Sequence, residues 1–205
     1  MTTFYICRHG ETENNKNRRL SGWIDTPLTE VGIKNAASSA AKLHGIQFDK
    51  IVSSDLGRAF ITAYIISRKL SYSSDIERFM ELRDVNYGDL ANMPYTGEDS
   101  AYPKLSALEN ANYVPPNGES LAQMQQRVMA CVTHISQDNP DKTILLVCHD
   151  GPINAVNASF TNQNIGIVDE ASNNAHDFVA RFVYDDGKVI SFDEGIEVTH
   201  ERKEA

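Results

Sequence analysis

The sequence predicts an α/β fold: a three-layer sandwich with a mainly parallel central sheet, helices on both faces and a small inserted cap. Three observations point there. Strand-like apolar runs alternate with stretches of helical periodicity along most of the chain. Residues 143–148 form a continuous apolar run, as expected for a strand buried on both faces of a parallel sheet. Arg8-His9, Arg58 and His149 all follow the ends of strand-like runs, and in such sheets ligands bind outside the carboxyl ends of the strands.

Residues 4–7 read as a short first strand that ends at the Arg8-His9-Gly10 turn. A polar loop follows, with Ser21-Gly22 as a turn and Trp23 as an anchor. Thr29 is a candidate N-cap for a helix whose apolar stripe includes Val31, Ala36, Ala37, Ala40, Ala41 and Leu43, with Gly45 closing it. Residues 49–54 form a second buried strand, and the segment from Asp55 to Arg58 opens a helix through Ile61, Ala63, Ile65 and Ile66. Between Leu82 and Pro116 periodicity is weak, broken by Gly88, Pro94, Gly97, Pro103 and Pro115; this is the expected cap, an insertion at about 84–117 in a single domain spanning 1–205.

A helix then starts at residues 117–120, with Leu121, Met124, Val128, Val132 and Ile135 recurring at three- and four-residue steps. After the run at 143–148, Pro152 suits the first turn of another helix. Residues 178–184 and 189–192 flank Asp185-Asp186-Gly187-Lys188, a hairpin signal, and the charged end, residues 194–205, is expected to be mobile.

Composition narrows the function. A chain of 205 residues can bury one sizeable core. Its net charge of −9 disfavours a general nucleic-acid binder, because a phosphate backbone would meet repulsion over most of the surface. Small anions differ: Arg8, Lys16, Arg18 and Arg19 could form a local basic pocket on an acidic body. No apolar run is long enough to span a bilayer, residues 1–7 are too short for a secretory signal, and Cys7, Cys131 and Cys148 lack framework spacing. These features point to the cytoplasm, with no membrane partner. The oligomeric state is left open.

If Arg8, His9, Arg58 and His149 converge, the chemistry follows from their types. The planar forks of Arg8 and Arg58 suit a tetrahedral phosphate. An imidazole kept neutral by nearby cations can attack phosphorus. A carboxylic acid must then protonate the leaving oxygen.

The chain resembles the histidine phosphatase superfamily, in the branch of cofactor-dependent phosphoglycerate mutase, fructose-2,6-bisphosphatase and many small bacterial phosphatases. The resemblance rests on Arg8-His9-Gly10-Glu11-Thr12 with Asn15, Leu20-Ser21-Gly22-Trp23 with Asp25, Pro27-Leu28-Thr29 with Gly32, Ser53-Ser54-Asp55-Leu56 with Arg58-Ala59 and Thr62-Ala63, Gly118-Glu119-Ser120 with Arg127-Val128, and His149. It implies a phosphoglycerate mutase-like fold that hydrolyses a small-molecule phosphate ester, with no cofactor or metal. His9 would be the nucleophile; Arg8 and Arg58 would bind the phosphoryl group; His149 would stabilise it as a further donor. Asn15, Ser21 and Gly22 would line the pocket, and Arg18 and Arg19 could hold a second anionic group of the substrate.

The family's register for its acidic residue falls on Asp84, a carboxyl one methylene shorter than the usual glutamate, with Glu81 in reserve. Asp150 also departs from the small neutral residue usual beside the second histidine. Its side chain is expected to turn towards Pro152 and the N–H groups of the helix start. Cys7 and Cys148 are expected to fill core, with redox gating a minor alternative, and His176 to approach the pocket or make a structural hydrogen bond. A phosphoglycerate mutase is the competing activity; between Leu90 and Pro116 only Lys104 is basic, which leaves little to hold a bisphosphate. A non-catalytic phosphate-binding module is the second alternative.

Overall fold

The computed structural model describes residues 1–96, 101, 110–163, 165 and 174–194. Six strands form one sheet. In spatial order these are β3 (Ile76–Phe79), β2 (Lys50–Ser54), β4 (Thr143–Cys148), β1 (Thr2–Arg8), β5 (Val179–Asp185) and β6 (Lys188–Glu194). The first four run parallel, and β5 and β6 extend the sheet antiparallel beyond β1. Register sets the site. Arg8 is opposite Cys148 and Ser53 opposite Val147, so the ends of β1, β2 and β4 open at one edge.

The two-residue repeat of the strands divides the core. Phe4, Ile6, Val52, Ile144, Leu146 and Cys148 face one layer, while Cys7, Ile51, Leu145 and Val147 face the other. Helices α2 (Glu30–Lys42) and α3 (Gly57–Lys69) cover the second face through Ala40, Leu43, Ala63 and Ile66. Helices α4 (Leu121–Asp138) and α5 (Asp150–Thr161) cover the first through Met124, Val128, Val132, Ile153 and Val156. The expected three layers are present. Cys7 and Cys148 lie in opposite layers, and burial raises both thiols above the ordinary range, so core filling accounts for them.

Local chemistry starts the helices where the sequence predicts. Thr29 Oγ1 accepts from the Gly32 N–H at 3.0 Å, and Ser120 forms a capping box with Gln123. Among the described residues, a strand and a single-turn α-helix are additional to the predicted set. The edge strand β3 is short, and its Glu77 and Arg78 are exposed, which hides any apolar alternation. The single-turn helix α1 (Glu13–Lys16) rests on a capping box between Thr12 and Asn15. Hairpin β5–β6 turns through Asp186 and Gly187 at φ 43° and 79°, the left-handed pair that a tight turn needs.

The described residues of the expected cap include a small cluster of their own. Leu90 and Ala101 bury against Leu20, with Tyr87, Met93, Tyr95 and Tyr113 packed around them. Gly97, Pro103, Lys104, His200 and the terminal stretch 195–205 lie outside the described residues. Among the described residues, no helix is long and apolar enough to cross a membrane.

One close approach positions α2 against the site. A Cβ at Gly10 would lie 2.1 Å from the Gly32 carbonyl oxygen, and one at Gly32 would lie 2.0 Å from that of Glu11. Two backbones touch where a methyl group has no room. Gly32→Ala is therefore expected to cost about 3 kcal/mol. Gly45→Ala meets open space and carries only the penalty of its φ of +85°, about 1 kcal/mol. Urea unfolding of both variants checks this ranking, and equal losses would contradict it.

Candidate active site

Four buried polar residues meet at the open edge of the sheet. Arg8 is 8% exposed, His9 3%, Arg58 1% and His149 0%. Arg8 ends β1, and the His9 N–H continues the ladder to the Cys148 carbonyl at 3.0 Å. His149 immediately follows β4, and Arg58 sits in the first turn of α3 just after β2. The rings of His9 and His149 lie 5.0 Å apart, centroid to centroid.

The hydrogen bonds of His9 assign its tautomer. Nδ1 lies 2.8 Å from the Gly10 carbonyl, which can only accept, so Nδ1 carries the proton. Arg58 Nε donates to His9 Nε2 at 3.3 Å, which agrees, because Nε2 then holds a lone pair. Burial first, then the charges of Arg58 and Arg8, push the His9 pKa well below its ordinary value. Both effects favour the neutral ring, with its unprotonated nitrogen towards a guanidinium.

His149 is shifted down by the same causes, burial first and Arg58 second. Its Nε2 pairs with Ser54 Oγ at 2.9 Å. Nδ1 is buried and has no hydrogen-bond partner among the described residues, as suits a group that meets a ligand. Arg58 is held by the Ile24 and Gly22 carbonyls at 2.9 and 2.7 Å. The N-terminus of α3 that carries it is capped from a distance, since Asp25 accepts from the Gly57 and Arg58 N–H groups at 2.5 and 3.3 Å. No side chain of the α3 cap residue, Leu56, could do this.

Asp84 lies against the start of α5: a Cβ on Gly151 would stand 2.6 Å from Asp84 Oδ1. Loss of hydration raises its pKa, Arg58 draws it down, and Asp150 raises it again. Its backbone is fixed from three sides. Trp23 Nε1 and Arg127 Nη2 both donate to its carbonyl, at 2.8 and 2.7 Å, and Arg127 Nη1 reaches the Glu81 and Arg83 carbonyls at 2.7 and 2.8 Å. Glu119 pairs with Arg127 at 2.6 Å and accepts the Asn86 N–H at 2.8 Å, and Arg83 forms a two-pronged pair with Asp55 at 2.7 and 2.6 Å. Glu81 itself is exposed.

The remaining expected residues divide. Asn15 Oδ1 receives both the N–H and the hydroxyl of Thr12, at 3.1 and 2.8 Å. Ser21 Oγ is buried without a partner among the described residues, and Gly22, at φ 51°, holds Arg58. Arg19 stands apart: it is exposed and donates Nη1 to the Asn92 carbonyl at 2.5 Å. Asp150 needs a correction. Its carboxylate receives Asn154 Nδ2 at 3.1 Å and the N–H and Nδ2 of Asn174 at 3.0 and 2.9 Å, and lies 4.0 Å from Arg8, instead of meeting the N–H groups of the helix start. As the first residue of α5, with His149 as N-cap, it is one position late to cap that helix.

Sequence reasoning read Trp23 only as a loop anchor and gave no role to Asp25 as the cap of α3 or to the clamp that Trp23, Glu119 and Arg127 form around Asp84. Glu119 and Arg127 stand eight residues apart, and no local rule links either to Asp84.

With this geometry in place, comparisons with known proteins agree on one family. PhoE of Bacillus subtilis (strain 168), an uncharacterized phosphatase, is 31% identical over 156 residues, 76% of each chain. Glucosyl-3-phosphoglycerate phosphatase of Mycobacterium tuberculosis is 32% identical over 164 residues, 75% of this chain and 73% of that one. Among solved structures, YhfR of Bacillus stearothermophilus superposes with a TM-score of 0.82 at 27% identity, covering 92% of this chain and 94% of its own. The model of the histidine phosphatase superfamily (branch 1) matches residues 4–190, and the chain belongs to that family.

Proposed function

We propose that this protein is a phosphomonoesterase that hydrolyses a small phosphorylated metabolite through a phosphohistidine on His9. The single observation that carries the reading is a neutral, buried His9 with its Nε2 lone pair facing Arg58. Nε2 attacks phosphorus while Arg8 and Arg58 hold the non-bridging oxygens and His149 Nδ1 supplies a further donor. As the N–P bond forms, the ester P–O bond breaks and Asp84 protonates the departing oxygen. Water then attacks the phosphohistidine, Asp84 takes the proton of that water, and the P–N bond breaks to release phosphate.

The raised pKa of Asp84 supports the acid role, since the carboxyl keeps its proton above the usual carboxylate range. Asn15, Ser21 and Gly22 line the same pocket, and Arg19 serves the substrate's outer part from the rim. The likeness to glucosyl-3-phosphoglycerate phosphatase supports phosphorylated sugars and glycerates as the first substrates to try. The acidic net charge and the cysteine pattern support a cytoplasmic setting without nucleic-acid partners.

A screen over sugar phosphates, phosphoamino acids, nucleotides and 3-phosphoglycerate, with and without 2,3-bisphosphoglycerate, compares wild type with His9→Ala. Hydrolysis in wild type and none in His9→Ala is expected. Turnover that survives the substitution would refute the nucleophile, and mutase turnover exceeding hydrolysis would favour a mutase. Tight phosphate binding without turnover would favour the binding module.

The pKa directions set a pH profile. His9 must be neutral and its pKa is lowered, so the acidic limb of kcat/KM lies below the ordinary imidazole range. Asp84 must be protonated and its pKa is raised, so the basic limb lies above the ordinary carboxylate value. Asp84→Asn should abolish the basic limb and lower kcat by about 10²–10⁴-fold on alkyl phosphates, with a smaller loss on p-nitrophenyl phosphate, whose leaving group needs little protonation. A basic limb that persists in this variant would move the acid role elsewhere.

A further inference from the structure

The segment 174–178, between α5 and β5, is held at both ends. At one end Asn174 gives its N–H and Nδ2 to Asp150, and its carbonyl accepts a hydrogen bond from Arg8. At the other, Asp177 Oδ2 accepts from Ser38 Oγ at 2.8 Å and pairs with Lys42 Nζ at 2.9 Å, while its carbonyl takes a second bond from Lys42 at 2.7 Å. The Ala175 carbonyl and the Phe178 N–H close the turn at 2.9 Å. Helices on opposite faces of the sheet thus fix one short loop.

His176 stands between these anchors. Its ring centroid is 5.7 Å from that of His9, and its Nδ1 lies 3.3 Å from the His9 carbonyl oxygen. A carbonyl can only accept, so His176 Nδ1 carries the proton. Burial, then the charge of Arg8, pushes the His176 pKa down to about 4, against smaller opposing effects from the His9 carbonyl, Glu11 and Asp177. The ring is therefore neutral where the enzyme would work, and the bond to His9 persists.

That bond completes a clamp on one peptide unit. The His9 carbonyl is taken by His176, and the Gly10 N–H at the other side of the same unit is taken by Thr62 Oγ1 at 3.1 Å. The next carbonyl, that of Gly10, receives His9 Nδ1. Rotation of this unit would swing the Gly10 carbonyl and let the imidazole turn with it. Gly10, without a side chain, offers little resistance of its own.

We propose that His176 is a positioning residue for the nucleophile: its Nδ1–H locks the His9–Gly10 peptide, and so the direction of His9 Nε2. This rests on the reading of His9 as the nucleophile. His176 acts through His9 and need not touch the substrate.

Asparagine carries an amide nitrogen close to where Nδ1 stands, whereas glutamine carries one nearer to Nε2, so the two separate a lost donor from a lost ring. Steady-state kinetics with p-nitrophenyl phosphate would compare wild type, His176→Ala, His176→Asn, His176→Gln and His9→Ala. Expected are kcat losses of roughly 10- to 100-fold in the alanine and glutamine variants, with KM little changed and most of kcat recovered in asparagine. Nitrogen-15 spectra of the His9 ring should show one Nδ1-protonated form in wild type and His176→Asn, and a mixture in His176→Ala. Wild-type kcat in His176→Ala, or no advantage of asparagine over glutamine, would overturn the proposal. If the alanine variant fails to fold, the asparagine–glutamine comparison decides. Turnover surviving in His9→Ala would instead remove the nucleophile reading itself, so the two failures are distinguishable.

Discussion

Two guanidiniums buried beside two imidazoles form the constraint on which the rest of the structure depends. Arg8 and Arg58 are almost fully out of water, and a buried charge is tolerated only where fixed dipoles replace its hydration. Carbonyls do this for Arg58: Gly22 and Ile24 come from a loop folded over it, and that loop is held in turn by Asp25 at the start of α3. Burial and the residual positive field together push His9 and His149 towards their neutral forms.

Around that pocket, the surrounding elements fix backbone as much as side chains. His9 continues the β1–β4 ladder, its carbonyl is met by His176, and the Gly10 N–H by Thr62. The Gly10–Gly32 contact brings the first turn of α2 against the same loop. Asp84 follows the same principle: Arg127, Trp23 and Glu119 grip the main chain around it and leave its carboxyl beside Gly151. The position of this short side chain is thus set by the clamp on its backbone and not by its reach.

Asp150 illustrates how a departure from the family pattern can be absorbed. A carboxylate beside the phosphate pocket would oppose an anion, yet here Asn154 and Asn174 receive it. Asn174 also links it to Arg8. The charge thus supports the loop that carries His176, and its field adds to the raised pKa of Asp84.

Much of this was legible in the sequence. The alternation of apolar runs with helical stretches determined the α/β class, and Thr29 and Ser120 marked helix starts, because these are local rules written in neighbouring residues. Arg8, His9, Arg58 and His149 were legible as site candidates because strand ends in a parallel sheet converge. The edge strand β3 was not, since solvent on its exposed face leaves no apolar alternation. Only the tertiary structure decided the partners: that Asp25 caps α3, that Arg127 and Trp23 hold Asp84, that Arg19 meets the Asn92 carbonyl, that Asp150 faces Asn174 and that His176 meets His9. These contacts join residues from 24 to 167 positions apart. No local propensity records such pairs; they exist only because the sheet brings distant segments to one edge, where each buried polar group must find its partner.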